Sequence, residues 1–232
     1  MKNIVAKFIK LKYLCLNLTF SWILHNSGKL LVRLAPFKAL KYLNLQIDSS
    51  ASFNYSDAVK FIVAHQNLEI LKFRFKTIFN TEYAELFEGI QTMKSLKDLQ
   101  ICQTSNSLTH FSYCFAFKTL KALKKLQSFK LDLRSKYFNG KDMKAIFRYF
   151  LKHPSLDKVN LSLTQDHNSY LPPECFDNEL YADVTKLTEK LRSLKLLLRL
   201  GTQPDYCRVN ENFSKIIMPS GIPTKNFAYS QE

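Results

Sequence analysis

The sequence predicts an α/β solenoid: about seven short parallel strands laid side by side, each returned to the next by a helix or loop. Three observations predict it. Segments beginning at Leu11, Leu40, Leu68, Leu96, Leu126, Leu156 and Leu191 share one template, with apolar residues at positions 1, 4, 6 and 8. Leu, Ile, Val or Phe fills 27 of these 28 positions, and Gln103 is the exception. The segments recur at intervals of 29, 28, 28, 30, 30 and 35 residues, and self-similarity at such a period marks a repeat architecture. Finally, apolar stripes of helical period lie between several of the segments.

The elements follow in order. The first segment, LKYLCLNL, alternates through Leu14, Leu16 and Leu18, as a strand with one buried face does. Its apolar run, Tyr13 to Leu24 behind a basic start, superficially resembles a signal peptide. The run is about half the length of a membrane helix, and the repeat explains it better. LKYLNLQI gives a second strand. Ser56 is the expected cap of a helix striped by Val59, Ile62 and Val63. LEILKFRF follows as a strand, then a helix striped by Tyr83, Leu86, Ile90 and Met93. After the fourth strand, LKDLQICQ, the spacing of Lys118, Lys121, Lys124 and Lys125 puts four bases on the outer face of a helix. The fifth strand is LQSFKLDL. Met143, Ile146, Phe147, Phe150 and Leu151 then follow i, i+3, i+4, i+7, i+8 spacing, a single helical stripe. LDKVNLSL is the sixth strand, and Leu180, Val184, Leu187 and Leu191 stripe a helix capped at Asp177 before the last strand, LRSLKLLL. One strand and helix cannot bury an apolar face alone, whereas a stack does. The repeat domain therefore covers residues 1–200, and residues 201–232, with Pro204, Pro219 and Pro223, form a C-terminal cap or tail.

On these segments the chain resembles the leucine-rich repeat proteins of the long-repeat type typified by ribonuclease inhibitor. The resemblance runs from about Ile4 to Leu200. It implies a curved solenoid, with the parallel sheet on the concave side and the helices on the convex side. The family usually carries Asn or Cys at position 9, whereas this chain has Thr19, Asp48, Lys76, Thr104, Arg134, Thr164 and Arg199 there. The usual ladder of Asn side chains is therefore not expected, and the strands should run longer.

Composition bounds the function. Apolar residues at 46% and charged residues at 23% exclude collagen-like and wholly disordered chains, and five Gly with seven Pro exclude a loop-rich one. The net charge of +15 falls entirely within residues 1–200, and the first 47 residues contain no acid. Such a field attracts phosphate, anionic lipid or acidic protein. Lys outnumbers Arg 27 to 7, which AT-biased codon usage also produces, so charge alone does not choose between selection and bias. Five scattered Cys with no CxxC pair indicate reduced thiols and an intracellular, reducing compartment, the cytoplasm first and an organelle second.

No catalytic signature appears. The chain lacks GxGxxG, GxxxxGK[ST], HExxH and GxSxG, so no enzyme, cofactor, metal or small-molecule substrate is expected. His25, His110 and His167 have no triad or metal spacing. His65 and His153 recur three residues before a template leucine, and a structural place at a helix C-terminus, which favours a cation, is expected. Glu82, Glu85 and Glu88 read as a solvated outer helix face.

With positions 4, 6 and 8 buried, positions 3, 5, 7 and 9 share the opposite, concave face. Tyr13 and Tyr42 sit at one end of it. Lys72, Arg74, Lys76, Lys130, Arg134, Lys158, Lys195 and Arg199 supply eight bases against Asp48, Asp98 and Asp132. Cys15 and Cys102 also fall on this face. A rigid basic surface with aromatics at one end suits an acidic protein partner. The leading expectation is a non-enzymatic protein–protein interaction scaffold, a subunit of a larger assembly. One alternative is an RNA-associated ribosomal or ribonucleoprotein subunit; another is the substrate-recognition part of a ubiquitin ligase. Ile4, Val5 and Phe8 precede the first strand without a visible cap, so they are expected to lie against another chain.

Overall fold

Alternation at positions 4, 6 and 8 makes a strand because side chains two apart share a face, so one row is buried while the next meets solvent. A computed structural model describes residues 10–19, 31, 37–48, 55–76, 80–104, 117, 120–135, 140–165 and 178–199. The seven template segments form β1 (Tyr13–Thr19), β2 (Tyr42–Asp48), β3 (Ile70–Phe75), β4 (Asp98–Gln103), β5 (Ser128–Ser135), β6 (Lys158–Gln165) and β7 (Ser193–Arg199). Four helices are described: α1 (Tyr55–Val63), α2 (Asn80–Ile90), α3 (Gly140–Lys152) and α4 (Asn178–Lys190). The strands form one all-parallel sheet in sequence order, an arrangement compatible with a solenoid.

The register is that of the template. Leu14 pairs with Leu43, Leu43 with Leu71, and the row continues through Leu99, Phe129, Val159 and Leu194. The longer interval before β7 therefore adds residues outside the strands without shifting the pairing.

Leu43, Leu45, Ile47, Leu71, Phe73 and Phe75 are fully buried, and the helices cover this face. Tyr83 of α2 meets Phe75 edge to face at 5.6 Å between ring centroids. Phe150 of α3 lies 5.9 Å from Phe129, and Phe117 packs on both at 5.5 and 5.8 Å. Each such side chain stabilises by about 1.5–3 kcal/mol through burial, and aromatic pairing adds to that. Leu14, Leu16 and Leu18 of β1 are only partly buried.

Two backbone devices recur at the strand entrances. The position-2 carbonyls of the first five segments each accept two N–H groups from the next segment. Lys12 O takes Lys41 N and Tyr42 N at 2.9 and 3.0 Å, and Lys41 O takes Glu69 N and Ile70 N at 2.8 and 3.0 Å. Glu69 O, Lys97 O and Gln127 O repeat the arrangement. Just upstream, the template leucine donates to the residue three before it: Leu40 to Phe37, Leu68 to His65, Leu96 to Met93 and Leu126 to Leu123. That earlier residue fills a buried slot, occupied by Phe37, His65, Met93, Leu123 and His153 in successive repeats.

The helices follow their stripes, with shifts at the ends. Tyr55 opens α1, one residue before the expected cap, so Ser56 lies inside the first turn. Met93 and Leu191 lie just beyond their helices yet remain buried. One expectation is corrected. Lys121, Lys124 and Lys125 lie in two successive turns that end in the Leu126-to-Leu123 bond, not on a helix face; Lys118 is outside the described residues. The leucines at 120, 123 and 126 are all buried, and their spacing of three is met by consecutive turns as readily as by a helix.

α1 and α2 approach closely at Gly89. A Cβ placed there would stand 2.0 Å from Val63 Cγ2, so the contact exists because the residue has no side chain. α3 and α4 are tied by ion pairs instead: Lys144 to Glu179 at 3.2 Å, and Arg148 to both Glu179 and Asp183.

Candidate functional site

The sheet face opposite the helices collects the residues predicted to bind. Parallel pairing places equal template positions side by side, so each position becomes a row crossing the strands. The position-3 row runs Tyr13, Tyr42, Ile70, Asp98, Ser128, Lys158 and Ser193. The position-5 row runs Cys15, Asn44, Lys72, Gln100, Lys130, Asn160 and Lys195. The position-7 row contains Arg74, Cys102 and Asp132 in adjacent strands. The structure thus brings Lys72, Arg74, Lys130, Lys158 and Lys195 onto one face. Lys76 follows β3 immediately and is exposed. Arg134 and Arg199 belong to β5 and β7, but their side chains lie outside the described residues, as do Ile4, Val5 and Phe8 and all of residues 200–232.

Tyr13 is 70% exposed, a large apolar surface left in solvent. Its ring lies 6.0 Å from that of Tyr42, and Lys72 Nζ stands 5.7 Å above the Tyr42 ring on the other side. The aromatic end of the face and its basic middle are therefore physically joined through Tyr42.

Several charges elsewhere on the surface are paired. At position 2, Glu69 sits between Lys41 and Lys97 at 3.3 and 2.7 Å, and Lys97 first, then Lys41, holds its carboxyl below the usual range. Asp157 pairs with Arg192 at 2.8 Å. On the sheet face, by contrast, Lys72, Lys130, Lys158 and Lys195 have no carboxylate within 4.0 Å among the described residues. Asp98 instead accepts from Gln100 Nε2 at 3.2 Å. These four lysines have no ion-pair partner among the described residues.

Cys102 departs from the expected map. It falls on the open face by register yet is only 6% exposed, and burial pushes its thiol up more strongly than Lys130 and Arg74 pull it down. The neighbouring Arg74 side chain, which hydrogen-bonds its sulfur, and Asp132 cover it from the adjacent strands. Cys15, on the outermost strand, is exposed.

The histidines are structural in a different way from that expected. His65 and His153 are 3% and 4% exposed and fill the slot that apolar residues take in other repeats. His65 Nδ1 lies 2.7 Å from Phe61 O, and His153 Nε2 lies 3.1 Å from Leu123 O. Burial depresses both, so the rings are neutral near pH 7 rather than cationic. The cation at the end of α3 is Lys190, whose Nζ donates to Phe150 O, Leu151 O and His153 O at 2.8, 2.7 and 2.6 Å.

Among the described residues, no cluster of three or more His, Cys, Asp or Glu side chains could hold a metal ion, and no helix is long and apolar enough to cross a membrane. No family model matches the chain, and no curated protein is significantly similar to it.

Proposed function

We propose that this chain is a non-enzymatic leucine-rich repeat scaffold that binds an acidic protein through the open sheet face, as a subunit of a larger assembly. One observation carries the reading: Lys72, Lys130, Lys158 and Lys195 gather on a single face with no carboxylate within 4.0 Å among the described residues. An unpaired row costs self-repulsion in the free chain and is relieved by an acidic ligand. The exposed Tyr13 beside Tyr42 supplies the aromatic anchor that such interfaces favour.

The repeat type rests on the template and its exact recurrence in register. Curvature follows from spacing: strands stand about 4.8 Å apart, while packed helices need about 8–10 Å, so the sheet takes the inner side and the helices the convex one. The free thiols of Cys15 and Cys102 suit a reducing compartment, and we assign the protein to the cytoplasm.

The test is affinity purification of the full chain and of its Lys72→Glu, Lys130→Glu, Lys195→Glu triple variant from the native cell. The reading expects a specific acidic protein that survives nuclease treatment and is lost from the variant at unchanged melting temperature. Retention by the variant, or release of all partners by nuclease, would overturn it.

A further inference from the structure

The position-5 row has a period of its own. Its lysines fall on β3, β5 and β7, and its amides, Asn44, Gln100 and Asn160, fall on the strands between or beside them. Strands 4.7–4.9 Å apart put successive lysine stems about 9.6 Å from one another. An extended polypeptide in the polyproline II conformation rises about 3.1 Å per residue with three residues per turn, so every third side chain returns to the same face after about 9.3 Å. A helix would need six or seven residues for that distance, at about 1.5 Å each.

We propose that this row receives an extended acidic polypeptide segment laid across the strands in the polyproline II conformation, with a carboxylate at every third residue. The proposal rests on the acidic-partner reading above and specifies its ligand. Lys72, Lys130 and Lys195 take the carboxylates. The amides between them carry both donors and acceptors, which suits the main-chain groups of the two residues separating the acids. Asn44 and Asn160 have no side-chain partner among the described residues, so these groups are open to a ligand. The flanking rows set the phase. A carboxylate placed over β4 approaches Asp98, and one drawn toward the position-7 row at β5 approaches Asp132, so acids out of step meet like charge. Lys72 is steadied by the Tyr42 ring, which limits how far its ammonium wanders.

The experiment compares two ten-residue peptides of identical composition by fluorescence anisotropy on the full 232-residue chain at physiological salt. One carries Asp at positions two, five and eight, and the other carries the three Asp consecutively. The spaced peptide should bind about fivefold tighter, three weak pairs being gained together. Lys130→Gln should abolish most of that preference, whereas Lys60→Gln, an exposed lysine on α1, should leave it intact. Equal binding of the two peptides, weakened alike by Lys72→Gln with Lys130→Gln and Lys195→Gln, overturns the spacing and leaves the acidic-partner reading standing. Binding that ignores all three lysines, or no binding of either peptide, overturns both. Tighter binding of a single-stranded homopolymeric RNA through the same lysines overturns both in favour of nucleic acid.

Discussion

Substituting Gly89 tests the close packing of α1 against α2. An added Cβ would meet Val63 Cγ2 at 2.0 Å and Val63 Cβ and Cγ1 at 3.0 Å. Ordinary contact lies near 3.5–4.0 Å, so Gly89→Ala demands a movement on the order of 1.5 Å. Val63 cannot absorb it by rotating, because a β-branched side chain in a helix has one strongly preferred rotamer. Two effects oppose each other. Alanine in a helix is favoured over glycine by about 1 kcal/mol, while overpacking costs about 1–3 kcal/mol. At 2.0 Å the steric effect wins, and we expect a net loss of about 1–2 kcal/mol. For a chain of this size that lowers Tm by about 2–8 °C. Denaturation should be followed for Gly89→Ala, Val63→Ala and the double variant. The double variant should recover at least about 1 kcal/mol relative to the sum of the single changes, because removing Cγ1 and Cγ2 vacates the space. If Gly89→Ala alone stabilises the protein, or if the cycle is additive, the helices are not held apart by this contact and the reasoning fails.

The remaining predictions concern charge and packing. His65 and His153 titrate below their usual 6.5 in the folded chain, so the unfolded chain takes up protons first as pH falls. Stability is therefore full above pH 6.5 and declines below it, by up to about 1.4 kcal/mol per pH unit for each ring. His153→Leu with His65→Phe, residues the same slot takes in other repeats, should flatten the decline between pH 6.5 and 5; an unchanged profile would show that other groups cause it. Lys190→Met removes the donor to three carbonyls at the end of α3 and should cost about 1 kcal/mol in urea denaturation, more than Lys186→Met, an exposed neighbour. Phe129→Ala, at the centre of the aromatic cluster with Phe117 and Phe150, should cost about 3–5 kcal/mol. A loss under 1 kcal/mol would mean the cluster closes over the gap.

The strand register was legible because a period-2 pattern leaves no freedom: a slip of one residue would turn Leu43, Leu45 and Ile47 to solvent. The same alternation defines the open-face rows. Burial across the chain was harder to read. Cys102 alternates correctly yet is covered, because Arg74 and Asp132 come from strands 28 and 30 residues away. The double-acceptor carbonyls at position 2 left no residue signature at all, since Lys, Glu and Gln serve there equally. The charge state of His153 depended on burial rather than on its helix end, and a sequence shows the second more readily than the first.

The short pairing of β4 with β5 has a mechanical consequence. It extends only from Asp98 to Cys102 on β4, whereas the next pair is joined from Ser128 through to Ser135. Repeats attached only to their neighbours act as springs in series, so a pull along the stack loads every junction equally and the weakest yields first. That junction follows Gln103, where the template lapses. Under tension the stack should part between β4 and β5, giving a four-stranded and a three-stranded piece, and a single-molecule trace should show this rupture at the lowest force.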